Sequence, residues 1–506
     1  MAVQDWRAAA RDAGTLLSFR AGHLRGRNRR RAQIALLGVA AITIAAAWAP
    51  QYVPQGRPNR YQTLVLLPTA YLGFLMLTAI AATVAGGGRE VMTRDEAVPY
   101  PIGARTDFLI GLVLAPLNIA WVMEAWMLLA GMSYAYAPNW RLILVQPLTL
   151  AWIATATVLG QTIAGLAEWV RRLRGGVLAL RGFGAALAAT MGWLVVTHRL
   201  GHWLDHGFVT NWIVNAQVRM SADHWDNALI ALAGMVAVSA GAIWVGGWFA
   251  ERAAHRQAVD ELKLESSQRF SRPHPTTDFI AMLRIDRASV WRAVPLRRGI
   301  LFLGFLPGAV ALAGSLHWQV ITMFPGLVCS GGALLFGVNI WCLDAKGAFW
   351  RESLPASPHL AFAVRSWVLA ELLVISLLPA LGLGALRAGV PTPGNLVAII
   401  CVSAATVVFV TGRCLRWSIT KPYPADLRGA RATPAPPLAM VGYSARLALT
   451  TTLLGLVFAA AGNASWLWSV MLALPAILFA GSDLAHSARL WESAQTRAEV
   501  LTAVST

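Results

Sequence analysis

Lysine is almost missing from this 506-residue chain, which holds only Lys263, Lys346 and Lys421. They follow Leu262, Ala345 and Thr420. None can complete the G-x-x-x-x-G-K-[ST] loop, whose Lys reaches the outer phosphates of a nucleotide. Cysteine is scarce too: Cys329, Cys342, Cys401 and Cys414 fall in or beside apolar runs without paired metal-ligand spacing, which excludes a disulfide framework and a zinc motif. There is no H-E-x-x-H, and no Ser-His-Asp or paired-carboxylate order that forms one pocket. Charge itself is rare, at 13% of residues against 57% hydrophobic, with mean hydropathy +0.56. A soluble domain needs far more charge than that, so the solvent expected for most of the surface is lipid.

Crossing a hydrocarbon core of roughly 30 Å takes about 20 apolar residues in a helix, because every backbone polar group must be satisfied internally. Residues 32–49, 63–88, 142–167, 227–250 and 388–412 are uncharged runs of that kind. The runs 299–343 and 447–482 are long enough for two helices each, breaking near His317 and Trp318 and at residues 462–465. Residues 108–135, 176–197 and 366–386 carry one charge apiece: Glu124, Arg181 and Glu371. The expectation is an all-α integral membrane protein of about twelve transmembrane helices. The first run begins only behind a charged 31-residue lead, so it is expected to be a retained helix and not a signal peptide.

The net charge of +18 raises nucleic acid as a partner. With the N-terminus inside, however, 36 of the 42 Lys and Arg fall on the cytoplasmic side and 6 outside. That asymmetry accounts for the basic balance without nucleic acid, and it places both termini in the cytoplasm.

A charged stretch follows the sixth expected span, dividing the chain into a first six-helix domain (1–250), a linker (251–278) and a second six-helix domain (279–506). The segment FIAMLRIDRASVWRAVPLRR sets Phe279, Met282, Leu283 and Ile285 among five arginines just before the seventh span, the pattern of a basic interfacial helix. AGTLLSFRAGHLRGRNRRR before the first span is similar. RDEAVPYPIGAR (94–105) corresponds to WRESLPASPHLA (350–361) at a constant offset of 256, pairing Glu96 with Glu352 and Pro99 with Pro355. Both copies lie on the cytoplasmic side after the second span of a six-helix unit. Six is even, so the units are expected to be parallel repeats related by an axis along the membrane normal.

With a basic interfacial helix before each half, the acidic-Pro loops REVMTRDEAVPYPIGARTDFL and DAKGAFWRESLPASPHLAFAVR, and an outer segment HRLGHWLDHGFVTNWIVNAQVRMSADHWD like a re-entrant helix pair, the chain resembles the permease subunits of ABC-2 type exporters. The resemblance is to the bacterial form that fuses two six-helix permease domains. It implies a bacterial inner-membrane protein that is not itself an enzyme and holds no cofactor. A separate ABC ATP-binding subunit, in two copies by symmetry, would bind ATP and Mg. It also implies that the loop after each second span is a coupling helix resting on that subunit, with Arg94, Asp95, Glu96, Pro99 and Arg105 in the first copy. Arg351, Glu352, Pro355 and His359 are their counterparts in the second. The outer segment occurs once, since only residues 463–465 separate the last two spans.

Ionisable groups inside spans are costly and face a cavity or a partner. Glu124, with Trp121, Trp126 and Asn118 around it, is a candidate wall of a path for cationic or amphipathic cargo; an interhelical hydrogen bond to Gln146 or Gln161 is the structural alternative. Asn339 and Glu371 raise the same question in the second half. His198, His202 and His206 share one helical face and are metal candidates, against the simpler reading of a Trp-rich interface segment. Two other function classes remain open: an ion-coupled secondary carrier, for which Pro116, Pro325 and Pro379 would break helices and only Glu124 and Glu371 offer coupling charges, and a polytopic membrane-bound transferase using the outer histidines. The apolar, Trp-rich spans suit a hydrophobic or amphipathic substrate. The expected partners are thus the ATP-binding subunit and membrane lipid.

Overall fold

The computed structural model describes residues 5–22, 27–53, 57–84, 102–117, 119–136, 140–197, 199, 209–221, 225–256, 273–314, 316–335, 337–344, 347–386, 388–424, 435 and 437–505. Among them every regular element is a helix. Among the described residues nine helices are long and apolar enough to cross a membrane, and a bent pair supplies a tenth if counted as one span. The chain is a membrane-embedded, multi-pass protein. It divides into two compact units, Met1–Asp260 and Glu261–Thr506.

In the first unit α1 (Trp6–Gly22) precedes α2 (Arg27–Trp48) and α3 (Arg57–Val84). The expected third span is broken: α4 (Ala104–Leu114) passes through a 3-10 turn at Ala115–Leu117 into α5 (Ile119–Ala135). Pro116 sits in that turn, where its missing N–H and fixed φ end the α-helical ladder. Then come α6 (Leu142–Arg171), α7 (Gly176–Val196), the short α8 (Val209–Ser221) and α9 (Trp225–Ala254). The apolar helix at the first expected span, Leu36–Tyr52, is shorter than a full crossing.

Helix α6 is the centre of this unit and packs on both α3 and α9. Lipid tails are as apolar as leucine, so close packing and hydrogen bonds must hold the helices together. Gly160 lets α3 approach closely: a Cβ there would lie 2.8 Å from the Thr78 backbone. The Thr78 hydroxyl donates to the Ala156 carbonyl at 3.1 Å, and Thr162 donates to Ala242 of α9 at 2.8 Å. The buried Gln217 of α8 donates to the Tyr71 and Thr149 hydroxyls at 3.0 and 3.1 Å, which fastens this short helix to α3 and α6.

The second unit opens with α10 (Asp278–Arg292), whose Thr277 hydroxyl accepts from the Ile280 N–H as a cap. The basic segment expected as one interfacial helix bends by 81° after α10, so Arg297 and Arg298 belong to α11 (Val294–Gly314). A single turn, α12 (Trp318–Ile321), leads into α13 (Phe324–Leu335) and a 3-10 stretch at Gly337–Leu343. Pro325 falls in the first turn of α13, where proline is tolerated. After the five-residue α14 (Ala348–Glu352) come α15 (Pro358–Ala385), α16 (Pro393–Thr420), α17 (Pro437–Ala464), α18 (Trp466–Glu492) and α19 (Ala494–Ser505). Pro379 is accommodated inside α15 without ending it.

The neighbours recur in the same order within each unit. The helix before the first span packs on the third span (α1 on α4, α10 on α15), and the first span also packs on the third (α2 on α5, α11 on α15). The second packs on the third and fourth (α3 on α5 and α6, α13 on α15 and α16), and the fourth packs on the last (α6 on α9, α16 on α18).

Candidate functional site

The loop after the second span is where the resemblance puts the contact with a partner. In the first unit Arg94, Asp95, Glu96 and Pro99 lie outside the described residues. Arg105, at the start of α4, forms an ion pair with Glu251 at the end of α9 (2.8 Å), and its guanidinium lies 4.9 Å over the Trp6 ring. It therefore ties the N-terminal helix and the last span to the end of this loop.

In the second unit the loop is described almost in full, and it is mounted on charge. The chain leaves the 3-10 stretch at Asp344, makes the single helix α14, and re-enters at α15, where the Ser357 hydroxyl caps the Leu360 N–H and Pro358 takes the first helical position. Arg365, two turns into α15, has no solvent exposure, and neither has Asp286 of α10. Arg365 Nη2 donates to Asp344 Oδ2 at 2.7 Å and Asp286 Oδ1 at 3.2 Å, while its Nη1 donates to the Ile340 carbonyl at 3.0 Å. Arg351 of α14 closes the group, donating to Asp286 Oδ1 at 2.6 Å and Asp344 Oδ1 at 3.1 Å. Two guanidinium groups and two carboxylates form a neutral tetrad that clamps α10, the loop and α15 together. Forked, charge-assisted bonds of this kind are directional as well as strong. Of the four, the sequence singled out Arg351 alone; its guanidinium turns to the two carboxylates.

Burial, the largest single effect on Asp344, would push its carboxyl up; the Arg365 and Arg351 guanidinium groups together outweigh it and hold the pKa below the ordinary 3.8. A depressed carboxylate stabilises the fold above its unfolded pKa and loses that contribution as pH falls through the folded value. The contribution of Asp344 to the clamp is therefore expected to hold from pH 8 to pH 5 and to weaken only below about pH 4. Protease resistance of the 344–357 loop, followed on acidification, checks this.

The C-terminal helix holds the loop from its other side. Trp491 at the end of α18 stacks on Trp341, ring centroids 3.7 Å apart and 4° from parallel. Arg497 of α19 donates to Glu352 at 2.8 Å and to the carbonyls of Trp491 and Glu492 at 3.2 and 2.8 Å. His359 Nε2 lies 3.4 Å from Glu492. With Arg351 and Glu352 engaged, the residues α14 turns outward are Phe349 and Trp350, 55% and 60% exposed. Pro355 is exposed beside them. Trp350 and Leu354 also line a cleft of about 140 Å³, with Met282 and Ile285 of α10 on the facing wall. Two large aromatics on a polar loop were the missed signal, readable in GAFWRES itself.

The remaining candidates are scattered. Asn118, His198, His202 and His206 lie outside the described residues, and no group of three metal-ligating side chains occurs among those described. Trp121 donates to Thr157 of α6 and Trp126 to Thr43 of α2, each at 2.8 Å. Glu124 makes neither expected hydrogen bond: Gln146 donates instead to the carbonyls of Ala47 and Leu129, and one Glu124 oxygen is buried with no partner among the described residues. Glu371 pairs with Arg287 of α10 at 2.8 Å, and Asn339 donates to the Tyr423 carbonyl, so each holds neighbouring elements of the second unit together. Compared with family models, with curated proteins and with solved structures, the chain matches none.

Proposed function

We propose that the chain is the membrane-spanning permease subunit of an ATP-driven exporter of the ABC-2 type, built as two six-helix repeats that total twelve spans and moving a hydrophobic or amphipathic substrate across a bacterial cell membrane. The observation that carries this reading is the mounting of the 344–357 loop. A segment that must transmit a push from a soluble partner to membrane helices has to be stiff, exposed at its tip and fastened to a span. The tetrad fastens this loop to α15 through Arg365 and to the interfacial helix through Asp286, while Phe349 and Trp350 remain outside. The recurring order of neighbours in the two units supports the repeat, and the arginine asymmetry supports cytoplasmic termini. ATP and Mg belong to the partner, expected in two copies.

The test is gentle detergent extraction of the tagged chain from its native membrane. A stoichiometric polypeptide carrying a phosphate-binding loop should copurify, and charge reversal at Glu96 and Glu352 together should release it from a permease that stays monodisperse. A chain that purifies alone under conditions preserving such complexes contradicts the proposal. One observation favours a second reading, an ion-coupled carrier: the Glu124 carboxyl oxygen that is buried with no partner among the described residues. In that case Glu124→Gln abolishes gradient-driven uptake while leaving any ATPase association intact.

A further inference from the structure

On the flank of the second unit, away from the loop, the ends of α16 and α18 carry an arrangement that structural ion pairing does not exhaust. Asp483 is buried and receives Arg416 Nη1 at 2.6 Å. Arg413 lies beside the same carboxylate, Nε to Oδ2 3.2 Å, without the alignment of a hydrogen bond. Two guanidinium groups share one carboxylate, which leaves one positive charge in excess. Among the described residues Arg413 makes no hydrogen bond, its Nε facing Asp483 at 3.2 Å, and Arg416 makes one, so both guanidinium groups keep donors unused. The Arg413 guanidinium lies 5.3 and 6.0 Å from the Phe409 and Phe479 ring centroids, which hold its plane without using its donors. The arginine side chains are 37% and 43% exposed, and Phe479 is 60% exposed beside the apolar, outward Leu478.

Depth decides what covers such a fork. Helix α16 has 28 residues, about 42 Å at 1.5 Å per residue, some 12 Å more than a hydrocarbon core. Arg413 stands seven residues, about 10 Å, from its end, and so lies where acyl chains give way to headgroups. An aqueous cation there would be hydrated on every side; this one has the Phe409 and Phe479 rings within 6.0 Å, and the exposed Leu474 and Leu478 share a helix with Phe479. Phosphate is the anion that every phospholipid headgroup carries, and its oxygens match a guanidinium fork in pairs.

We propose that Arg413 and Arg416 form a binding site for the phosphate of an anionic phospholipid, with Asp483 positioning the two forks and Phe479 packing on the first part of the acyl chain. The site stands independently of the permease reading, which enters only in naming the leaflet as the cytoplasmic one. The phosphate chemistry could be met by a free ion as well, so the experiment has separate arms. The purified full-length protein is exchanged into phosphatidylcholine nanodiscs containing either no anionic lipid or one-fifth phosphatidylglycerol, and lipid retention is read by native mass spectrometry after release. Wild type should retain phosphatidylglycerol through steps that strip phosphatidylcholine, and Arg413→Gln with Arg416→Gln should lower that retention roughly tenfold. Asp483→Asn, which leaves both cations and removes their anchor, should weaken retention less than the double change. Inorganic phosphate at millimolar concentration should not displace the lipid. Equal retention by wild type and the double variant, with both monodisperse, overturns the site; displacement by inorganic phosphate overturns its lipid nature.

Discussion

Arg365→Met is expected to destabilise the second unit by about 3–5 kcal/mol, because it leaves Asp286 and Asp344 sharing Arg351 alone in a site with almost no solvent. The cost comes from the uncompensated carboxylates and not from the loss of arginine as such. Arg365→Met combined with Asp344→Asn restores neutrality, keeps the Asp286–Arg351 pair, and should recover most of the loss. Thermal unfolding in detergent, followed by the appearance of aggregated protein, measures both. Equal damage from the single and double changes would show that packing of the Arg365 stem against Trp341, 5.1 Å from its guanidinium, matters more than charge.

Phe349→Asp with Trp350→Asp is expected to leave the tetrad and the thermal midpoint unchanged, since both side chains are outside the core, yet to abolish recovery of the ATP-binding partner. Exposed aromatics at the tip of a rigid element are the anchors that dominate association when they enter a pocket on the other protein, each about 2 kcal/mol or more. Two such losses lower affinity by roughly a thousandfold. The readout is the partner-to-permease ratio after affinity purification, with Arg365→Met as the control that lowers stability first.

The apolar spans were legible in the sequence because lipid imposes a single rule on every one of them: about 20 residues without charge. The rule fails where the helix is interrupted by its own chemistry. Pro116 splits the third span, and the turn at Ala293 bends the basic segment that reads as continuous amphipathic helix. The tetrad was illegible for a different reason. Asp286 and Arg365 stand 79 residues apart, on elements whose approach is set by packing and not by any local periodicity. Arg351 was found through a match between loops, but its bonds to Asp286 and Asp344 join elements that the match does not relate. Beyond the uncharged run that ends at Ser482 the sequence offers only two arginines, Arg489 and Arg497. Arg497, which joins α14, α18 and α19, becomes visible once Glu352 is beside it.

The most direct measurement of the permease reading is a photo-crosslink from position 350. Trp350 is replaced by a benzophenone amino acid, the protein is irradiated in its native membrane, and the adduct is identified by mass spectrometry. The expected adduct is a polypeptide with a G-x-x-x-x-G-K-[ST] loop, crosslinked at a surface groove and lost when Phe349 is changed to Asp. Adducts confined to lipid, or to a second copy of this chain, with the tetrad intact, would contradict it.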